Sequence, residues 1–496
     1  MSLINISDLT FSYDGNSENV FENVNIQLDT NWKLGLIGRN GRGKTTLLKL
    51  LSGEISGSGS IVSNVDFEYF PYSVSNPDYF TIEVIRETAP DAEDWEIYRE
   101  MSLLGMSENA DYQKFCTLSG GEQTKTMLIG LFLKRNSFLL IDEPTNHLDT
   151  EGREILGRYL SRKKGFILVS HDREFLDMCT DHILSINRCS IEVQKGNYSD
   201  WQQNKDMHDS FELAQNEKLK KDIKRLETAA KRTAEWSDKA ERAKIGFDPT
   251  KVEKSISRRP HEAAKAKKIM SRSTAIAERR EKAVQKKEKL LHNIEQTAEL
   301  KFRPLKFHTS RLVQLENISL RYGEKIVCEN VNLSVNQGEH IAITGRNGCG
   351  KSSILKLICG EDIEYTGQII KNNQLKISHV SQKANHLHGN LMNYAETLNI
   401  DISLFFTVLR KLDFSREMFE HKIENFSAGQ KKKVMIAGSL CESAHLYIWD
   451  EPLNFIDIIS RIQIEKLILE SSATMIFVEH DSAFVKNIAD KIITIK

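Results

Sequence analysis

GLIGRNGRGKTT at residues 35–46 and AITGRNGCGKSS at 342–353 are two versions of one glycine-rich loop. Both fit the spacing GxxxxGK[ST], as Gly38-Arg39-Asn40-Gly41-Arg42-Gly43-Lys44-Thr45 and Gly345-Arg346-Asn347-Gly348-Cys349-Gly350-Lys351-Ser352. Each follows a short apolar strand and precedes an apolar helix, Thr46 to Leu51 or Ser353 to Ile358, which is the setting a phosphate-binding loop requires. The glycines let backbone N–H groups curl around phosphate oxygens. Lys44 and Lys351 are placed to neutralise β and γ phosphates, and the hydroxyls of Thr45 and Ser352 to ligate Mg2+. Thr46 and Ser353, next along each helix, are grouped with the expected ATP contacts.

A second pair of blocks recurs with the first: FLLIDEPTNHLD at 138–149 and LYIWDEPLNFID at 446–457. The offset is 307 from Lys44 to Lys351, 308 from Ser119 to Ser427 and from Asp142 to Asp450, and 309 from His171 to His480. Register kept this closely implies duplication of one domain of about 200 residues. Each copy opens on β-rich alternation, Leu3 to Tyr13 and Leu312 to Tyr322. Apolar Phe138 to Ile141 and Leu446 to Trp449 read as buried strands ending in Asp142 and Asp450, the expected holders of Mg2+. The next residues, Glu143 and Glu451, are where a base polarises an attacking water. The plainer alternative makes these acids surface caps at strand ends. The expected fold is α/β: two P-loop domains joined by a long antiparallel helical hairpin.

That hairpin is read from composition. The 496 residues are 40% hydrophobic and carry a formal net charge of -1, yet residues 211–290 hold 24 Lys and Arg against 13 Asp and Glu. Narrow helical stripes run through Leu219, Ile223, Leu226 and Ala230, and through Val284, Leu291, Ile294 and Ala298. Gly246-Phe247-Asp248-Pro249 breaks them, predicting domains at 1–202 and 306–496 and a hairpin at 203–305 with its tip at about 244–260. The seven cysteines are scattered without a CxxC pair, so neither a disulfide framework nor a metal cluster is indicated. No apolar run is long enough for a membrane span and no signal peptide opens the chain, so a cytoplasmic location is expected.

Leu118-Ser119-Gly120-Gly121-Glu122-Gln123 and Phe426-Ser427-Ala428-Gly429-Gln430 precede apolar helical runs; alone, each reads as a helix cap. With the P-loops, IDEPTNHLD, and the histidines of LVSHD (His171) and FVEHD (His480), both copies resemble the nucleotide-binding domain of ABC ATPases. The resemblance implies head-to-tail pairing within a monomer. Lys44, Thr45, Asp142, Glu143 and His171 would share one ATP with Ser427 and Gly429; Lys351, Ser352, Asp450, Glu451 and His480 would share the other with Ser119, Gly120 and Gly121. It also implies adenine stacking on Tyr13 and Tyr322, each of which equally suits a strand. Three departures predict inequivalent sites. Gln382 matches the family's Mg2+-sensing glutamine where the first copy has Tyr72, so water is expected to complete the metal shell there. Ala428 replaces a signature glycine, and Leu453 and Phe455 replace a Thr and a His.

Two such domains around a basic hairpin resemble the ABC-F family. EPLNFID, the FPY of the first copy and the tip GFDPTKVEKS resemble its Lsa/Vga-type antibiotic-resistance group. The implied partners are the bacterial ribosome at the exit-site region of the large subunit, P-site tRNA and ribosomal RNA. The implied action is protection of the peptidyl-transferase centre from lincosamides, pleuromutilins and streptogramin A. Lys244, Ile245, Phe247, Val252, Lys254, Arg258, Arg259, Lys265, Lys267 and Lys268 are the candidate RNA contacts, though a solvated coiled-coil face with Phe247 as a staple accounts for the same residues. The spacings Tyr72 to Ser119 (47) and Gln382 to Ser427 (45) predict no inserted arm, and the 16 residues after His480 no C-terminal extension. A housekeeping ABC-F translation factor and a transporter ATPase remain the alternatives.

Overall fold

The structure, a computed structural model, describes residues 2–228 and 304–495 except 14–18, 108, 147, 187–190, 209, 212–213, 216, 219–220, 222–223, 226–227, 324, 347, 385, 413 and 415–416. The first copy begins with β1 (Leu3–Phe11) and β2 (Phe21–Asp29). Its core strand is β3 (Lys33–Gly38), followed by α1 (Lys44–Ser52) and by β4 (Ser58–Val62) and β5 (Asp66–Phe70). A helical segment holds α2 (Thr81–Thr88), α3 (Asp94–Leu103) and α4 (Gly120–Leu133). The chain then returns as β6 (Ser137–Asp142), α5 (Thr150–Ser161), β7 (Phe166–Val169), α6 (Arg173–Cys179), β8 (His182–Ile186) and β9 (Ile191–Lys195). The second copy repeats the plan: β10 (Arg311–Tyr322), β11 (Lys325–Asn336), β12 (His340–Gly345), α7 (Lys351–Cys359), β13 (Tyr365–Lys371), β14 (Ile377–Val380), α8 (Leu391–Thr397), α9 (Ile402–Lys411), α10 (Ala428–Cys441), β15 (Leu446–Asp450), α11 (Ile458–Leu469), β16 (Met475–Val478), α12 (Ser482–Ile488) and β17 (Lys491–Ile495).

Each copy therefore has a three-stranded antiparallel sheet, β2-β1-β4 or β11-β10-β13, beside a parallel core sheet. The core orders are β5-β6-β7-β3-β8, with β9 antiparallel at the edge, and β14-β15-β16-β12-β17. The core strands are buried on both faces, which is why they read as unbroken apolar runs: Phe138, Leu140, Ile141, Tyr447, Ile448 and Trp449 are fully buried. β3 lies between β7 and β8, and β12 between β16 and β17, all in parallel register. Their carboxyl ends form the crevice where α/β sheets bind ligands, and both glycine-rich loops start there.

Met1–Trp201 and Ala298–Lys496 make one compact unit and Gln202–Thr297 another. Only parts of 202–228 are described in the second, so the predicted hairpin and its tip residues, Lys244 to Lys268, lie outside the described residues. Within the first unit the copies interlock: Ile458 of α11 is buried in the hydrophobic core of the first copy, and Ile462 packs against it. No helix among the described residues is long and apolar enough to cross a membrane.

Behind this contact lies a buried ion pair. Lys433 of α10 donates to Asp457 Oδ2 at 3.0 Å, and Asp457 Oδ1 caps α11 by accepting from Ser460 N at 2.9 Å. Burial pushes the Asp457 carboxyl up, but the Lys433 ammonium and the Ser460 amide more than offset it and hold it well below the usual range. Its folded pKa is thus below its unfolded value of about 3.9. The pair's stabilisation is present above that value and is lost as pH falls toward the folded pKa. Lys433→Met should cost about 3–5 kcal/mol near neutral pH by stranding the buried carboxylate. The gap from wild type should narrow below about pH 4. Denaturant unfolding at both pH values checks this.

Candidate nucleotide-binding and hydrolysis sites

Each glycine-rich loop is closed by a glycine in the left-handed conformation, Gly43 at φ 90 and Gly350 at φ 92. A side chain is also sterically barred: a Cβ on Gly43 would come within 2.6 Å of Val20 Cγ1, and one on Gly350 within 2.8 Å of Val327 Cγ1. Gly41 and Gly348 share the positive φ, at 80 and 81. The turns deliver Lys44 and Lys351 into the loops. Lys44 Nζ donates to Gly38 O (2.8 Å), Arg39 O (3.3 Å) and Asn40 Oδ1 (3.1 Å); Lys351 Nζ donates to Gly345 O (2.8 Å) and Arg346 O (2.9 Å). Burial lowers the Lys44 pKa against the pull of Asp457, Glu143 and Asp142. Tyr13 OH pairs with Thr46 Oγ1 at 2.8 Å and Tyr322 OH donates to Ser353 Oγ at 3.1 Å, so both half-exposed rings stand over the first helical turn.

The hydroxyls and strand-end acids meet as their motifs require: Thr45 Oγ1 donates to Asp142 Oδ2 at 3.0 Å and Ser352 Oγ to Asp450 Oδ1 at 3.1 Å. Hydroxyl and carboxylate oxygens beside a buried ammonium at a helix start suit a hard cation with a polyphosphate, so the residues present fit Mg2+ and ATP. Glu143 (φ 52) and Glu451 (φ 46) both occupy the left-handed region, a strain of about 1–3 kcal/mol for a side chain of this kind. His171 Nε2 stands 3.3 Å from Glu143 Oε1 and His480 Nε2 3.4 Å from Glu451 Oε1.

Around the glutamates the copies part. Glu451 Oε2 accepts from Gln382 Nε2 (2.9 Å) and Asn454 Nδ2 (2.8 Å), and Lys432 Nζ donates to Ser381 O and Glu451 O, each at 3.0 Å. Burial pushes this carboxyl up, but His480, Gln382 and Lys351 more than offset it, to about 2. Among the described residues no side-chain amide donates to Glu143, which has the His171 backbone amide. Its Oε1 is buried without a hydrogen bond, and burial, with the Asp142 charge, pushes it up to about 8. Burial also drives the His171 ring well below its ordinary value, so it is neutral. Tyr72, structurally opposite Gln382, turns away to Thr88 Oγ1 at 2.8 Å. Tyr69 of β5 instead reaches the neighbouring acid, donating from its hydroxyl to Asp142 Oδ2 at 3.0 Å.

The copies meet head to tail at the first site. Asn40 Nδ2 donates to Phe455 O at 2.8 Å, and a Cβ on Gly429 would touch that carbonyl at 2.5 Å and Asn40 Nδ2 at 3.4 Å. Phe455, at φ 66, aims its carbonyl across the interface. Ser427, whose Oγ accepts from Gln430 N at 3.3 Å, opens α10 beside it. At the other site Arg346 Nη2 lies 3.5 Å from Glu151 Oε2, and Ser119 caps α4 through Glu122 N at 3.3 Å, with Gly120 and Gly121 in the first turn. Both signature serines are thus helix caps as well as candidate ligand contacts. Asn347 lies outside the described residues.

Sequence reading missed the arginines that lock this arrangement. Arg153 Nη1 donates to Asp172 Oδ2 (3.0 Å) and, across the interface, to His480 O (3.2 Å). Its counterpart Arg461 holds Asp481 Oδ2, Ile456 O and Leu453 O, each at 2.9 Å. Arg173 of the first copy pairs with Glu465 of the second. The signal was available, since Arg153 and Arg461 are 308 apart, the register of the strand-end acids.

A family model described as "ABC transporter" matches residues 21–146 and 328–454. Among curated relatives, the chain is 27% identical to the ribosome protection protein VmlR of Bacillus subtilis (strain 168), covering 96% of this chain and 84% of that protein. It is 26% identical to the ATP-binding protein Uup of Buchnera aphidicola (99% and 80%), and 26% to ABC transporter F family member 5 of Arabidopsis thaliana (99% and 75%). Among solved structures, the archaeal ribosome recycling factor aABCE1, in complex with ribosomal stalk protein aP1, aligns at TM-score 0.64 and 18% identity. That alignment covers 98% of this chain and 87% of the other, and at that identity it speaks for the fold. Two loops cradled alike, two strand-end acid pairs and two family matches in one polypeptide place this chain in the ABC transporter family, as an ATP hydrolase of the ABC-F branch.

Proposed function

We propose that the chain is a ribosome-binding ATPase that protects the peptidyl-transferase centre from lincosamide, pleuromutilin and streptogramin A antibiotics. The observation that carries this reading is likeness along nearly the whole chain, linker included, to a protein named for ribosome protection. The excess of Lys and Arg over residues 211–290 supports it, since a basic segment neutralises RNA phosphates without reading sequence. The similar identity to Uup keeps the housekeeping translation factor as a second reading.

Bound ATP with Mg2+ supplies the phosphoanhydride whose cleavage resets the machine. The chain's own residues do the rest: Lys44 and Lys351 would hold phosphate, Thr45 with Asp142 and Ser352 with Asp450 would hold Mg2+, and Ser427, Gly429, Ser119 and Gly121 close each site from the opposite copy. Glu143 and Glu451 polarise water, with His171 and His480 beside them. Closure fixes the linker in its binding geometry at the exit site, beside P-site tRNA and ribosomal RNA; hydrolysis permits release.

Three outcomes follow. The Glu143→Gln, Glu451→Gln double variant should cosediment with bacterial ribosomes in an ATP-dependent manner; absence of cosedimentation with ATP binding intact removes the ribosome from the account. Replacing residues 244–260 by a Gly-Ser loop should leave ATP hydrolysis nearly unchanged and abolish protection in a lincomycin susceptibility assay, and a full-length chain that confers no protection is a housekeeping factor. Because the side-chain amides of Gln382 and Asn454 hold Glu451 while no side-chain amide among the described residues holds Glu143, Glu451→Gln should lower steady-state turnover by about 10²-fold or more, and Glu143→Gln by less. Equal losses would show that the two glutamates contribute alike.

A further inference from the structure

Among the described residues, the helical segment of the first copy carries a surface that its counterpart lacks. Trp95 and Tyr98 lie one turn apart on α3, 57% and 43% exposed. Tyr112, 73% exposed, is brought beside Tyr98 because the Tyr98 hydroxyl donates to its neighbour Asp111 at 3.1 Å. Tyr79 and Phe80, also exposed, are tied to the following segment: Phe115 N donates to Tyr79 O at 2.9 Å, and Phe80 bridges to Lys114. In the second copy α9 opens on Asp401 as α3 opens on Glu93, which sets Ser403 where α3 has Trp95 and Phe406 where it has Tyr98. Phe406 packs against the core, its ring 5.0 Å from Phe419. The fold does not require these aromatics to face solvent.

Charge decides what they fit. Residues 78–112 hold ten Asp and Glu against two Arg, whereas 386–420 hold five against three. Both arginines are engaged: Arg86 pairs with Asp94 at 2.6 Å, and Arg99 reaches Glu100 at 2.9 Å while stacking over Trp95 at 5.2 Å. Exposed Glu87, Asp91 and Glu93 leave the face acidic. Such a surface repels a phosphate backbone, while Lys and Arg side chains pair with its carboxylates and stack on its rings.

We propose that this face docks a Lys/Arg-rich protein segment of the particle on which the ATPase works, which on the ribosomal reading above is a basic segment of a ribosomal protein. The test places the photo-crosslinker benzoylphenylalanine at Tyr112 in the Glu143→Gln, Glu451→Gln chain bound with ATP to ribosomes, and maps the crosslinked peptide by mass spectrometry. A Lys/Arg-rich segment of one ribosomal protein is expected. Trp95→Ser, Tyr98→Ser and Tyr112→Ser together should weaken ribosome affinity about tenfold with ATP hydrolysis of the free protein unchanged. Glu87→Lys with Asp91→Lys, which leaves the rings in place, should do the same. Crosslinks to RNA, to residues 229–303 of the same chain or to nothing, or unchanged affinity in both variant sets, overturn the docking face while the ribosomal reading stands. Failure of the parent double variant to cosediment overturns both.

Discussion

A backbone turned through left-handed φ at Gly43 and Gly350, with a valine side chain against each, is the constraint from which the rest of this molecule is arranged. It seats a lysine inside a ring of carbonyls at the start of a helix and so collects positive charge at one point in each copy. Carboxylates must then be gathered to face that point, and they come from the ends of the neighbouring strands, where a buried parallel sheet delivers side chains with little freedom. Asp142 and Asp450 arrive this way, and the strained glutamates after them are held by what surrounds them.

What surrounds them differs, and the difference is physical. At Glu451, two amides and a histidine converge on a carboxylate whose pKa burial alone would raise. At Glu143 the amide is replaced by a tyrosine that leaves for Thr88, and burial prevails. Tyr69 partly compensates by holding Asp142, yet it addresses the metal-side acid and leaves the base alone. The interface adds its own bias, since the second copy's Phe455 carbonyl closes on Asn40 and its Ile458 enters the first copy's core.

Most of this plan was legible in the sequence because it rests on local rules. Loop glycines, strand-end acids and capping serines sit at fixed offsets, and duplication repeats them in register. What escaped depended on which way a side chain turns. Tyr72 aligns with Gln382 in sequence and in strand register, but its ring length carries the hydroxyl to Thr88, whereas Tyr69 lies on the strand beside Asp142. Arg153 and Lys433 were passed over because buried cations look like surface charge until their partners are known. The exposed aromatics of α3 were hidden for the converse reason: Trp95 and Tyr98 have the helical spacing of core residues.

The joining of both copies in one polypeptide has an evolutionary consequence. In a homodimer every substitution appears in both composite sites at once, so a change that spoils one spoils the other. Here a gene could exchange Thr145 for Leu453, or Gln382 for Tyr72, in one copy while the other kept its chemistry. Each half of the chain has been free to accumulate its own history, and the unequal glutamates record that freedom.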